Sequence, residues 1–492
     1  MMPTVAFISP PEPRAKMQGD FFYRNYAPAL ALSQTGKYNT ISLDNISTAK
    51  ELILSEADLV ILVNVVDPDL FPLITKRKAA GRPTIYEVND DYKNLQPWNP
   101  VYSFYSQEEN VKTLEDLAGY CDGVLFSSRA LMDKYSTLNS RRFLFENHLL
   151  SPPSLRARNN ALITIGWGGS FGHYKDMENL SKVLVSWLAR TEGVKLHIMA
   201  SEKICNLFST LPKNKFSQFT PGSIQDYYRF LTTLDIGIIH LEETSFNICR
   251  SDIKFVEYAG HGVVPLVKKS TPYLKSMSHG NTGFFYRDLN GLIQLLSRLI
   301  KSPQLLAKVK QRAYQYVMDK RLYEKRINEL VNALNTLPYP GTSPSPKFGD
   351  WKKRHLKSSN FVYLRHGHFE KLLIAILTEI SQQQPDIPLI NELCARAQIL
   401  QPDSYLPPLY SARFAEDPEE SYDLALTRNP FSLKALIEKA KFYLEQGKIV
   451  QAFQILDSVE RNFPFWSFPK TLAYQIAKRL QRQESGVQVI NV

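Results

Sequence analysis

Short apolar runs recur along the first part of the chain, separated by longer segments in which apolar positions fall three or four residues apart. Val5–Ser9 (VAFIS), Asp58–Val63 (DLVILV), Pro83–Val88 (PTIYEV) and Gly123–Ser127 (GVLFS) are apolar at most positions, the pattern of buried strands. Tyr26–Thr35, Pro72–Ala80 and Val111–Tyr120 carry helical spacing instead. Strand, helix, strand in this order predicts right-handed crossovers and a mainly parallel sheet, a doubly wound α/β domain over residues 1–150. The turn-rich stretch Ser151–Asn160 (SPPSLRARNN) interrupts the pattern, which then resumes. Leu162–Trp167, Lys195–Ala200, Asp235–His240 and Val263–Val267 read as strands, with helices at Lys175–Thr191, Ile224–Thr233 and Ile253–Gly260. Two helical stretches, Leu289–Ile300 and Pro303–Leu337, close a second domain of the same class over residues 151–337. Two such domains in tandem enclose a cleft, and open sheets bind ligands beyond the carboxyl ends of their strands.

Leu337–Gly349 (LPYPGTSPSPKFG) is dense in Pro, Gly and Ser and predicts a linker at 338–350. Residues 351–492 read as an all-α domain. In Ser432–Pro464, small and apolar residues recur at helical spacing, Gly447 separates two helices, Ala452 and Leu456 lie on the second, and Pro464 ends it. This segment resembles one tetratricopeptide repeat: Pro430 lies 34 residues before Pro464, the period of that repeat, while Pro402 lies 28 before Pro430. A plain helical bundle is the competing reading. Stacked helix pairs form interaction surfaces and carry no chemistry, so the tail is expected to hold a protein partner or present an acceptor.

The chain has 492 residues, 44% hydrophobic and 22% charged. These values match soluble globular averages and exclude wholesale disorder. No apolar run reaches the roughly 20 residues of a spanning helix. The opening MMPTVAFISPPEPR lacks the basic segment and long apolar stretch of a secretory signal, so a cytoplasmic location is expected. Cys121, Cys205, Cys249 and Cys394 form no close pair that could clip a metal and read as buried thiols. A net charge of +11 points to an anionic partner: substrate phosphates, an acidic membrane face or nucleic acid. Basic residues cluster in Lys308–Arg326 and Trp351–Lys357 (WKKRHLK) without a nucleic-acid motif, so no nucleic-acid partner is expected and solvated helix faces are the plain reading. Lys352–Lys357 is the stretch for which peripheral contact with an anionic inner-membrane leaflet is expected.

Candidate chemistry concentrates in two segments. In Thr244–Val267 (TSFNICRSDIKFVEYAGHGVVPLV), Ser251 and Asp252 can cap a helix whose free N–H groups point at the cleft, with Arg250 and Lys254 beside that positive end. Glu257 on the same helix can accept hydrogen bonds from vicinal hydroxyls, and Gly260 and Gly262 let the helix turn sharply into the next strand. An ordinary capped helix is the alternative. In Ile165–Asp176 (IGWGGSFGHYKD), Gly166, Gly168, Gly169 and Gly172 allow backbone to approach a ligand beside Ser170, and Lys175 opens a helix where it can neutralise a diphosphate. It fits neither the dinucleotide fingerprint nor the P-loop, and a flexible turn is the alternative. Asn89-Asp90-Asp91 suits a turn or cap, or else an acceptor-side contact. His173 and His261 sit near the expected cleft, while His366 and His368 lie in the tail without further metal ligands nearby in sequence and are expected at the surface.

Taken together, IGWGGSFGHYKD, DIGIIHLEETSFNICRSDIKFVEYAGHGVVPLV, HGNTGFFYRD at His279–Asp288, YEVNDD at Tyr86–Asp91, CDGVLFSSRALMDKY at Cys121–Tyr135 and Asn147 resemble GT-B fold glycosyltransferases. The resemblance is to the large retaining, family 4-like group that shares a "glycosyl transferases group 1" domain, and it covers about residues 1–335. It implies two tandem Rossmann-like domains, an acceptor domain and a donor domain, ahead of the helical-repeat-like tail. It implies that Glu257 holds the ribose of a nucleotide-diphosphate sugar, that Lys175 meets the diphosphate, and that Arg250, Ser251 and Lys254 face it. Gly168, Gly169, Ser170 and His173 then belong to the donor loop, and Gly19, after the first strand, approaches the sugar phosphates. Many members carry a second glutamate eight positions before the ribose-binding one, where this chain has Cys249. The implied reaction moves a sugar to a saccharide, lipid-linked or protein acceptor with no metal and no cofactor, Arg250, Lys254 and Lys175 stabilising the departing diphosphate. A non-catalytic scaffold with a partner-binding arm is the alternative; a GT-B sugar-nucleotide 2-epimerase fits the helical tail less well.

Overall fold

The computed structural model describes residues 2–11, 19–155, 162–337, 345–356 and 359–484. Seven strands build the first sheet: β1 (Thr4–Ser9), β2 (Asn39–Asp44), β3 (Leu59–Val63), β4 (Thr84–Val88), β5 (Gly123–Phe126), β6 (Arg142–Leu144) and, from far along the chain, β13 (Phe361–Tyr363). Their order is β13-β2-β1-β3-β4-β5-β6. The second sheet contains β7 (Ile163–Gly168), β8 (Val194–Met199), β9 (Phe216–Phe219), β10 (Ile236–Ile239), β11 (Val264–Lys268) and β12 (Phe284–Tyr286), in the order β12-β11-β10-β7-β8-β9. Every pairing in both sheets is parallel, as the crossover pattern requires.

The strands predicted from apolar runs occupy inner positions, buried on both faces. Along β1, Val5 and Phe7 point into the core shared with the second domain, while Ala6 and Ile8 join the opposite core with Ile53, Leu70 and Phe71. The four edge strands β6, β9, β12 and β13 are three or four residues long, so even the apolar triplets of β12 (FFY) and β13 (FVY) are too short to stand out as runs. Inner strand β2 is missing from the sequence pattern for a different reason. It buries Thr40, Ser42 and Asp44, with Thr40 Oγ1 donating to the Ala29 carbonyl and Ser42 Oγ to Asn25 Oδ1.

The stretch expected as continuous helix, Pro303–Leu337, is two helices, Pro303–Lys320 and Tyr323–Asn335. They part at Arg321, which is buried and bonded to Asp252 and the Asn147 carbonyl. The second crosses back onto the helix Ala27–Gln34 of the first domain, where Tyr38 Oη donates to Asn335 Oδ1 at 3.0 Å. Of the expected linker 338–350, residues 338–344 lie outside the described residues, and Pro346–His355 is a helix that buries Phe348 and Trp351. Part of the expected interruption at 151–160, residues 156–160, also lies outside them.

Beyond 359 the chain contributes β13 and then a series of helices that includes the antiparallel pair Leu433–Glu445 and Ile449–Asn462, turned by Gly447 at φ 71°. One face of this tail is fixed to the first domain. Asp69 accepts hydrogen bonds from Tyr405 Oη (2.7 Å), Ser432 Oγ (2.9 Å) and the Lys434 N–H (3.0 Å). Phe465 stacks on Tyr120 with ring centroids 3.7 Å apart, and Trp466, 1% exposed, donates Nε1 to Thr113 Oγ1 at 3.1 Å. Two sequence expectations change here. His366 is no free surface residue but bonds to the Asp44 carboxylate in a buried contact. Lys352 belongs to no exposed basic patch, since its Nζ donates to Thr4 Oγ1 at 2.8 Å over the Phe348 ring; Lys357 lies outside the described residues. Among the described residues, no helix is long and apolar enough to cross a membrane.

Candidate functional site

The carboxyl ends of both sheets face a cleft holding a cavity of about 470 Å³, a size suited to a small-molecule ligand. The helix Ile253–Gly260 points its start at this cavity because Phe255, Val256, Tyr258 and Ala259 bury one side of it in the shared core. Asp252 and Ser251 do not cap it as expected. The Asp252 carboxylate is taken by both arms of Arg321, whose Nη2 also donates to the Asn147 carbonyl at 2.9 Å, and no side chain caps the helix. Ser251 Oγ accepts from Asn147 Nδ2 at 2.9 Å. The first N–H groups of the helix thus meet the cleft without a side-chain partner, an arrangement that attracts anions.

Lys254 and Glu257 lie one turn apart on this helix, Nζ to Oε2 3.4 Å. Lys254 Nζ also donates to the Gly168 carbonyl at 2.8 Å and to Tyr227 Oη at 2.9 Å. Burial pushes the lysine pKa down, opposed by Glu257. The Glu257 carboxylate accepts from Tyr23 Oη at 2.6 Å and from Tyr227 Oη at 3.0 Å, and Tyr23 in turn meets Tyr228 Oη at 2.9 Å. Burial and the neighbouring carboxylate hold Tyr23 and Tyr227 well above the usual phenol range, so both remain hydrogen-bond donors. Arg250 lies over the Phe246 ring at 5.1 Å and lines the cavity.

Of the glycine-rich loop, Gly169, Ser170 and His173 line the cavity, and Gly168 reaches it through the carbonyl that holds Lys254. Gly166 serves strand packing instead: a Cβ there would lie 2.8 Å from the His197 carbonyl and 2.3 Å from Leu234 Cδ2. Gly172 meets the opposite domain, its carbonyl accepting from Trp98 Nε1 at 3.1 Å. His173 Nδ1 is 2.9 Å from Asp176, yet burial and Arg250 push its pKa down to about 4, leaving the ring neutral at neutral pH. Gly19 lines the first-domain wall at φ 47°, a left-handed conformation that glycine adopts without strain. Lys175 requires correction. Its side chain is half-exposed at the first turn of Tyr174–Arg190, pairs with Glu178 at 2.9 Å and is absent from the cavity wall.

Residues 181–332 match the family model described as "Glycosyl transferase-like". Among solved structures, Anabaena HepE in complex with UDP and glucose aligns with a TM-score of 0.50 at 12% identity, covering 68% of this chain and 100% of that one. HepE in complex with UDP-glucose gives 0.50 and 13% over the same shares. The chain has the GT-B fold, and the family match falls within its second domain. S. aureus TarM aligns at a TM-score of 0.46 and 12% identity over 58% of this chain, which spans only 57% of TarM. No curated protein matches the chain.

The first-domain half of the GT-B cleft supplies residues that sequence reasoning did not single out. A turn of π-helix, Phe21–Tyr26, brings Tyr23 and Arg24 to the cleft. Arg24, 1% exposed, donates Nε to Glu87 Oε1 at 2.5 Å and Nη1 to Asn147 Oδ1 at 2.8 Å, so Glu87, Arg24, Asn147 and Ser251 form one hydrogen-bonded line across the domain boundary. The signal available was a polar Arg-Asn pair inside the aromatic run FFYRNY. Asn89-Asp90-Asp91 divides its roles. Asp91 is buried and held by Lys134 Nζ and Tyr135 Oη, each at 2.5 Å, the turn role expected, whereas Asp90 lines the cavity. Burial pushes the Asp90 pKa up to about 6 against the pull of Arg250, Asp20 adding to the rise. His261 lies behind the site, Nδ1 2.7 Å from the Glu257 carbonyl and its ring against Tyr228. Cys249, at the position of the missing glutamate, is buried, and burial pushes its thiol up to about 11. All four cysteines are free and buried. Among the described residues, no three His, Cys, Asp or Glu side chains are grouped to hold a metal.

Proposed function

We propose that this protein transfers a sugar from a nucleoside-diphosphate sugar to a saccharide, lipid-linked or protein acceptor, with retention at the anomeric carbon. The observation that carries the reading is the convergence of Arg250, Lys254 and Glu257 at an uncapped helix start inside the interdomain cavity. The diphosphate sits against the helix start and the two cations, and the ribose hydroxyls take the Glu257 carboxylate. As the bond from the anomeric carbon to the phosphate oxygen breaks, negative charge grows on the leaving diphosphate. Arg250, Lys254 and the oriented N–H groups stabilise that charge without rearranging, so the positive charge comes from the chain and neither metal nor cofactor is called for. The HepE structures contain UDP and UDP-glucose, which makes uridine nucleotides the first donors to try.

Calorimetric titration with UDP, GDP, ADP, dTDP and their sugars, Glu257→Ala alongside, tests this. Base-selective binding that falls at least tenfold in the variant is the expected result. The scaffold reading is favoured by one feature, the occupation of both Glu257 oxygens by tyrosines. It predicts no binding and no turnover with any of these nucleotides.

A further inference from the structure

A second cavity, of about 570 Å³, lies where the tail meets the first domain and shares no lining residue with the interdomain one. One wall comes from residues 45–51, after β2, and the other from Phe369, residues 400–406, Arg428 and Asn429 of the tail. Both walls are tied down. Glu370 Oε1 accepts from the Thr48 N–H at 3.1 Å and from Thr48 Oγ1 at 2.8 Å, Tyr405 Oη is held by Asp69, and Arg428 Nη1 donates to the Ser404 carbonyl at 2.9 Å. The core of an interface packs to interior density, as this seam does around Trp466. Here fixed walls instead hold open a space of ligand size, already organised for an occupant.

The side chains on these walls select the occupant. Lys50 is answered by Asp67 at 3.4 Å, and Glu51 and Asp403 offset Arg428, so no net positive charge is left to hold a phosphate. Among the described residues, the Gln401 amide, Asn429 Nδ2 and the Nε and Nη2 of Arg428 have no protein partner, yet none of them is occluded. Hydroxyl groups suit such a set, since each donates to the amide oxygen and accepts from the nitrogens, while the C–H face of a sugar ring packs on Phe369. Strand β2 lies three spacings from β4, roughly 15 Å, and the residues after β4 supply Asp90 to the interdomain cavity, so both cavities adjoin the carboxyl edge of one sheet. We propose that the pocket between the first domain and the tail binds sugar residues of a saccharide acceptor that lie remote from the one reacting in the cleft. The acceptor role rests on the glycosyltransferase reading above, whereas the sugar-binding chemistry of the pocket stands without it.

The test presents the full chain, with Gln401→Leu and Arg428→Met alongside, to a densely immobilised panel of mono- to hexasaccharides. Circular dichroism melts that match the wild type certify the folding of both variants. The wild type should retain oligosaccharides, and affinity should fall about three- to tenfold in each variant, the worth of one hydrogen bond. In transfer assays with the preferred sugar nucleotide, KM for the longer saccharides should rise by a similar factor while KM for a monosaccharide stays, because a monosaccharide does not span from the cleft to the seam. A wild type that retains no saccharide, or variants that retain them equally well, overturns the proposal. Lost retention with a KM that is unchanged at every length assigns the pocket to a separate saccharide and overturns the acceptor role. Saccharide binding that depends on the pocket, in a chain that binds no nucleotide, upholds the pocket and overturns the parent reading instead.

Discussion

Tyr23 belongs to the first domain and Glu257 to the second, yet they share a 2.6 Å hydrogen bond. A ribose that reaches that carboxylate competes with a phenol already donating to it. Tyr23→Phe removes the competitor while keeping the ring, and the net worth of one such bond sets the gain at roughly three- to tenfold in nucleotide affinity. Calorimetry with the preferred nucleotide and its 2′,3′-dideoxy analogue checks this: the ribonucleotide should gain and the analogue should not, and an unchanged ribonucleotide affinity would count against ribose at Glu257. Lys254, Glu257 and Arg250 were legible in the sequence because they share one short segment with a helix start. Tyr23, Tyr227 and Arg24 were not, since each comes from a distant element and only the fold brings it to the cavity. Lys175 misled because a lysine opening a helix can turn to solvent as readily as to a ligand, and here Glu178 holds it outside.

At the scale of elements, apolar runs announced the inner strands but not the sheet edges, whose three or four residues are too few for periodicity to register. Strand β2 was hidden by Thr40 and Ser42, polar residues that are buried because other elements supply their partners. The same kind of long-range partnership splits the stretch 303–337 at Arg321. Its guanidinium straps Asp252, at the start of the helix Ile253–Gly260, to the Asn147 backbone. Arg321→Met should leave a buried carboxylate unpaired and cost about 3–5 kcal/mol. Denaturant unfolding measures it, and adding Asp252→Asn to that variant should recover part of the loss by removing the stranded charge.

At the scale of the whole molecule, the tail is part of the first domain's core rather than an arm beside it. Trp466 and Phe468 share one hydrophobic cluster with Ile8, Leu62 and Phe71. Trp466→Ala should therefore cost about 3–5 kcal/mol, the usual price of deleting a large buried aromatic ring. Thermal melts followed by circular dichroism should show the first domain and the tail losing structure together, and a separate early tail transition would contradict this coupling.

The origin of β13 bears on how the chain is made. The Asn360 carbonyl that meets Thr40 lies 320 residues further along the chain. At about 5–20 residues per second, a ribosome needs roughly 15 to 60 s to cover that distance. Throughout that interval β2 is the outermost strand of a nascent sheet, its backbone groups open to any extended peptide. Strand-edge association is thus a hazard of synthesis, and it passes once the late segment has been translated and docked.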